Sequence, residues 1–178
     1  MAPDRDRLRA VFDRVEPLIE ARWGIPVTIS DVPNPFTGDL DGERIIVDYE
    51  NDIENAVFIL IHLFGHTVQW NVSADARGIA FARHDTWTDD ELRAVAAYER
   101  EACCYSLQLL HEAGIHDLDQ WVSDFAACDC AYLMHLYRTG EKRPLLEFWR
   151  DGTPLLLPLR IPEFHPTRWL SRNDGTVV

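Results

Sequence analysis

The chain has 178 residues, a length typical of one domain that can bury a substantial hydrophobic core. Hydrophobic residues make up 47% and charged residues 26%, which indicates a globular protein rather than a disordered one. The net charge of -13 and the pI near 4.8 argue against nonspecific binding to nucleic acid or to anionic membranes, because both attract basic surfaces. We therefore expect neither a nucleic-acid partner nor a membrane partner.

The sequence predicts a cytoplasmic protein. Its N-terminal segment is charged and is not followed by the apolar core of a signal peptide. The longest apolar run, 56–64, is interrupted by His62 and is too short to span a bilayer. Four cysteines in two close pairs do not resemble a secreted disulfide scaffold, so we expect reduced thiols at Cys103, Cys104, Cys128 and Cys130.

The first 50 residues predict one helix and two strands. Apolar residues recur with helical spacing over 5–22, a segment that Pro17 should perturb. The segments 25–32 and 44–49 are short and rich in branched aliphatic residues, which favours strands. The proline- and glycine-rich stretch between them, 33–42, is predicted to be a loop.

Three longer helices are predicted in the rest of the chain. The apolar segment 53–71 predicts a buried central helix, followed by a loop over 73–87. A second helix should begin at Thr88, where acidic residues in the first turn suit the helix dipole, and end near Gly114. A third should span 117–139. The remainder, 141–178, is predicted to be an irregular tail packed on the body of a single domain, 1–178.

His62 and His66 are four residues apart on the predicted central helix. A helix turns about 100° per residue, so the two imidazoles share one face about 6 Å apart along the axis and can bind one metal ion. In a zinc-protease helix the residue after the first histidine is a glutamate, the general base, whereas Leu63 cannot take a proton. Taken alone, the pair also fits two core histidines without a metal.

A metal site needs a third protein ligand, and the next helix has Glu99 and Glu101. The order of a helix, strands, an HxxxH helix and a helix with Glu-x-Glu-Ala followed by Leu-Leu resembles the ImmA/IrrE-type minimal gluzincin metallopeptidases over about residues 5–110. The resemblance implies that His62, His66 and Glu101 bind the metal. Glu99 is the alternative ligand, and because it is two positions away on another face, both should not bind the same ion.

The fold class that we expect is α+β: a mainly helical, minimal gluzincin-like domain with a small sheet, an HxxxH helix and a following Glu-bearing helix. The metallopeptidase-like core would be 1–114, and 115–140 an additional helix. Gln69 shares the histidine face and is either a support for a histidine or a polar helix end. Candidates for a replacement general base are Asp48, Glu50 and Glu99.

The function that these observations predict is a non-proteolytic, metal-dependent enzyme acting on a small substrate. Its cofactor would be Zn²⁺, or alternatively Fe²⁺, because two histidines and a carboxylate suit both ions. One alternative is a pseudoenzyme whose structural metal supports binding of a peptide or protein partner. Others are a peptidase with a relocated general base and a structural domain without a metal. In the first two readings the metal cleft would hold a small-molecule or peptide ligand.

Overall fold

The computed structural model describes residues 3–33, 36–82, 84 and 86–169. Over these ranges the chain forms five α-helices, a three-stranded sheet and one short 3-10 helix, which confirms the expected mainly helical α+β class. Residues 34–35 of the predicted loop and 170–178 of the predicted tail lie outside the described residues. The first helix, α1 (Arg5–Trp23), is capped by Asp4 and continues through Pro17, where the sequence predicted a perturbation.

The small sheet contains strands β1 (Val27–Ser30), β2 (Gly38–Leu40) and β3 (Ile45–Asp48) in the order β1-β3-β2. β1 is parallel to β3, and β2 is antiparallel to it. The sequence placed β2 inside a loop, and this was wrong for 38–40 because three residues are too few to show an alternating pattern. β3 is buried along its whole length.

The sheet contacts the histidine helix closely. This helix, α2 (Ile53–Val72), is capped by Asp52 and is the central element of the core. A Cβ atom built on Gly38 of β2 would lie 2.6 Å from Ile59 Cγ2 and 2.8 Å from Leu63 Cδ1. A glycine at this position therefore allows the strand to pack directly on the helix.

The chain continues from α2 into α3 (Ala74–Ala80), a short helix capped by Ser73. The sequence predicted a loop over 73–87, and this was wrong for 74–80. Seven residues with Ala76 as the one buried residue of the helix give no readable apolar periodicity. Residues 83 and 85 of the predicted loop lie outside the described residues.

Two long helices complete the body. α4 (Asp89–Glu112) begins with a capping box formed by Thr88 and Glu91, and α5 (Asp119–Thr139) ends at Gly140. α4 runs antiparallel to α2 and crosses it at Gly65, where an added Cβ would lie 2.7 Å from the carbonyl carbon of Ala102. No helix of the described ranges is long and apolar enough to cross a membrane.

After α5 the chain forms a short 3-10 helix, Leu145–Phe148, and then an extended segment up to residue 169. Hydrogen bonds hold this segment on three parts of the body. The Leu156 amide donates to Ser123 Oγ on α5, and the Leu159 amide donates to the Cys104 carbonyl on α4. The last described residue, Trp169, donates its amide to the carbonyl of Asp41 beside β2.

Candidate metal centre

Three potential ligand atoms meet between α2 and α4. His62 Nε2 lies 2.9 Å from His66 Nε2, and Glu99 Oε2 lies 3.2 Å from each of them. The three residues are 3%, 0% and 7% exposed, respectively. A tetrahedral ion with ligands at about 2.0–2.1 Å requires ligand atoms roughly 3.3 Å apart, so this triangle has the size of a metal site. This metal group of His62, His66 and Glu99 could hold a metal ion.

The triangle forms because of the way α2 and α4 cross. The two helices pack antiparallel at Gly65 and Ala102. The turn of α4 that precedes Ala102 therefore lies beside His66, and the residue that follows Ala102 lies beside His62. Glu99 therefore contacts His66, and Cys103 Sγ lies 3.3 Å from His62 Nδ1. Because the two backbones touch, the histidines of α2 can contact Glu99 and Cys103 of α4 directly.

The structure brings Glu99, and not Glu101, to the histidines. Two positions on a helix correspond to a rotation of about 200°, so Glu101 points away from the group. It is exposed, and its carboxylate accepts a hydrogen bond of 2.7 Å from Gln69 Nε2. The carboxylate beside His62 and His66 is thus that of Glu99, whereas the family resemblance implied Glu101. The sequence did contain a signal for it, because Glu99 lies on the apolar stripe of α4, with Leu92, Val95 and Cys103.

Gln69 fixes the tautomer of His66. Its Nε2 atom donates to the Tyr98 carbonyl at 2.9 Å and to the Glu101 carboxylate, both of which can only accept. The amide oxygen therefore faces His66 Nδ1, at 2.9 Å, and the imidazole donates its proton to that oxygen. Consequently Nε2 of His66 presents a lone pair to Glu99 and His62, as a metal ligand must.

The Glu99 carboxylate is stabilised in its charged form. Burial raises the pKa of the Cys103 thiol well above its ordinary value, so the sulfur keeps its proton. Burial also acts to raise the pKa of Glu99, but His66 and His62 outweigh this effect and hold the pKa well below its usual range. Positive charge beside the Glu99 carboxylate can come from protons on the imidazoles or from a bound cation. A cation also suits three ligand atoms that converge on one point.

Leu63, at the position of the missing glutamate, is 1% exposed and packs against Gly38 of β2. The replacement bases on β3 and just after it are engaged or distant. Asp48 accepts hydrogen bonds from the amides of Val32 (2.6 Å) and Glu50 (2.7 Å), and neither it nor Glu50 belongs to the metal group. These carboxylates stabilise the end of the sheet.

Contacts between α2 and α5 define a regular register that the sequence did not reveal. Trp121 Nε1 donates to Glu54 Oε1 at 2.9 Å, and one turn further along both helices Phe58 stacks on Phe125 with ring centroids 3.9 Å apart. Both contacts join residues that are 67 positions apart. The two helices therefore run parallel here, in step with each other.

If this register continues for one more turn, it brings Asp129 to the level of His62. The pKa of Asp129 is raised to about 6, mainly by burial; His62 opposes the rise, and Glu99 adds to it. Asp129 is thus electrostatically coupled to two members of the group. Its carboxylate does not belong to the triangle itself.

Comparison with protein-family models, with curated proteins and with solved structures found no match. The functional argument therefore depends on the geometry of the side chains.

Proposed function

We propose that this protein is a metal-dependent enzyme that binds one Zn²⁺ or Fe²⁺ ion through His62, His66 and Glu99. The observation that supports the proposal most strongly is the buried triangle of ligand atoms from two histidines and one glutamate, 2.9–3.2 Å apart. Two imidazoles and one carboxylate suit both ions, and three protein ligands leave coordination positions open, as in catalytic sites. When bound, such an ion supplies Lewis-acid chemistry.

The surrounding residues support this role by orienting the ligands and by excluding water. Phe58 stacks on His62 with centroids 5.3 Å apart, and Tyr98 stacks on His66 at 4.5 Å. Gln69 keeps the second histidine in the tautomer that a metal requires. Apolar and aromatic walls strengthen electrostatic interactions inside the site because they lower the local dielectric constant.

We propose a small, non-peptide substrate. An ordinary zinc peptidase needs a general base beside the first histidine, and its loss typically costs about 10²–10⁴-fold in rate. Leu63 supplies no base and is packed in the core. We propose that the chain is related by descent to the ImmA/IrrE-type gluzincins. The order of the elements and the HxxxH helix support this relation. Leu63 and the position of the proposed ligand Glu99 differ from the family pattern.

A structural metal in a pseudoenzyme is the second candidate, and the near-complete burial of the ligands favours it. In that case the ion would stabilise the packing of α2 on α4, and the surface would bind a peptide or protein partner. The two candidates differ in whether a small ligand can reach the ion. An anion that changes the spectrum of the Co²⁺-loaded protein would favour the enzyme.

Glu99→Gln and Glu101→Gln form a matched pair that tests the site. Each purified protein is stripped with a chelator, reloaded with Zn²⁺ and examined by elemental analysis and by chelator competition. We expect Glu99→Gln to lose at least about 100-fold in affinity, as expected for a lost ligand. Glu101→Gln should keep one ion per chain with about a 10-fold weaker affinity, because the Glu101 side chain affects the ion only by orienting Gln69, which contacts His66.

Loss of the metal from Glu101→Gln but not from Glu99→Gln would show that the ligand set is wrong. A parent protein that binds no ion stoichiometrically, or a His62→Ala variant with unchanged affinity, would reject the metal centre.

A further inference from the structure

A carboxylate on α5 lies beside the metal group and takes no part in ligation in the proposed function. We infer that Asp129 faces the open side of this group, where it makes the loaded site formally neutral and selects uncharged substrate groups over anionic ones. The inference rests on the proposed function, because it names the class of substrate that the same site accepts.

The first argument is the register of α2 and α5. The Glu54–Trp121 hydrogen bond of 2.9 Å and the Phe58–Phe125 stack at 3.9 Å are successive turns of two parallel helices. Residues four apart lie on the same helix face, so the next turn brings Asp129 to the α2 face that bears His62. The same face of α5 that closes the aromatic stack therefore continues beside the metal group.

The second argument is the set of groups around Asp129. It is electrostatically coupled to His62 and Glu99, which lie on the two other helices that enclose the site. Its carboxylate is not one of the ligand atoms that lie within 4.8 Å of one another, so Asp129 remains outside the proposed ligand set. The nearby cation Arg100 lines a separate cavity of about 390 Å³ between α4, α5 and the C-terminal segment.

The charges then determine what the site accepts. Two neutral imidazoles and the single carboxylate of Glu99 would leave a divalent ion with one excess positive charge, which attracts anions. Asp129 removes that excess. An anion entering the site would meet a carboxylate at short range in a poorly solvated environment, whereas an uncharged carbonyl or hydroxyl group would not be repelled. The same carboxylate can also accept a hydrogen bond from an uncharged substrate.

Azide binding to the Co²⁺-loaded protein tests this inference without any knowledge of the substrate. The absorption spectrum of the bound Co²⁺ is recorded as azide is added to the parent and to Asp129→Asn. We expect Asp129→Asn to keep one Co²⁺ per chain and to bind azide about 10-fold more tightly, because a nearby negative charge has been removed. Asp129→Glu keeps the charge and should keep the parent's azide affinity.

Asp119→Asn is the control, because Asp119 lies on the same helix but pairs with His111 at 2.9 Å, away from the metal group. It should leave azide binding unchanged. Equal azide affinity in the parent and Asp129→Asn overturns the inference, and so does loss of Co²⁺ from that variant, which would make Asp129 a ligand. If Asp129→Asn does not fold, as seen by circular dichroism, Asp129→Ser replaces it in the same comparison. A parent that binds no Co²⁺ rejects the proposed function itself.

Discussion

At the scale of single residues, Leu63 occupies the position at which a zinc-peptidase helix carries its glutamate. Its side chain is 1% exposed and its Cδ1 atom would lie 2.8 Å from a Cβ on Gly38. The leucine is therefore a packed core residue, and the glutamate cannot simply be put back at this position. A carboxylate here would be surrounded by apolar atoms of α2 and β2.

We accordingly expect Leu63→Glu to lower the free energy of unfolding by about 3 kcal/mol or more and to produce no peptidase activity. The reason is the cost of burying a polar group without hydrogen-bond partners. Urea denaturation and cleavage of unfolded casein measure the two effects. Leu63→Met is the control, with a loss below about 1.5 kcal/mol. Casein cleavage by Leu63→Glu would show that only the base had been lost.

Asp129 should affect the stability of the metal-free protein in a pH-dependent way. Its pKa is raised from 3.8 to about 6, so the folded state favours the protonated form. Its stabilising contribution is therefore complete below pH about 4 and is lost as the pH rises through about 6. We expect metal-free Asp129→Asn to be more stable than the parent by about 1–2 kcal/mol at pH 7.5; the gain is no larger because Asp129 is partly accessible and solvent weakens the effect of burial.

This difference should become small near pH 3, where the parent carboxyl is largely protonated in both states. Urea denaturation of both proteins at several pH values measures it. A difference that is constant between pH 4 and pH 7.5 would contradict the raised pKa and would indicate a packing effect of the substitution instead.

At the scale of elements, the crossing of α2 and α4 determines the geometry of the metal group. Gly65 allows the two backbones to touch, since a Cβ there would lie 2.7 Å from the carbonyl carbon of Ala102. Ala102 is one turn from Glu99, so any separation of the helices at this point moves the carboxylate away from both histidines. The crossing therefore couples packing to ligation.

Gly65→Ala should lower the free energy of unfolding by about 1–3 kcal/mol and weaken metal binding at least about 10-fold. The added methyl group overlaps backbone atoms, which cannot rotate away. Gly78→Ala in α3 is the matched control, because nothing lies within 4 Å of its Cβ position, and it should stabilise the helix by up to about 1 kcal/mol. Chelator competition and urea denaturation test both variants. Unchanged metal affinity in Gly65→Ala would separate the crossing from the site.

The sequence could predict the long helices, because their hydrophobic spacing repeats over several turns. Spacing alone placed His62 and His66 on one helix face, and the acidic turn after Thr88 located the start of α4. The choice between Glu99 and Glu101 depends on the phase of α4 against α2, which the Gly65 contact sets. The sequence contained no sign of a role for Asp129, because its position depends on how α5 is aligned with α2, and the paired residues of these helices are 67 positions apart.

At the scale of the whole molecule, three helices enclose the metal group, and the extended C-terminal segment is fastened to two of them. Ser123 on α5 and Cys104 on α4 accept hydrogen bonds from this segment. His62 and His66 come from α2 and Glu99 comes from α4, which are separate helices. A metal bound here connects parts of the chain that separate on unfolding, so binding and global stability must be thermodynamically linked.

We therefore expect Zn²⁺ to raise the free energy of unfolding of the parent by about 4 kcal/mol when free Zn²⁺ is 1,000 times its dissociation constant. Chemical denaturation at buffered Zn²⁺ concentrations measures this, and the gain should grow with the logarithm of the concentration. Glu99→Gln should show little of it, and Glu101→Gln most of it. The same gain in all three proteins would mean that the ion binds elsewhere on this acidic chain, because only a site containing Glu99 can respond to its loss.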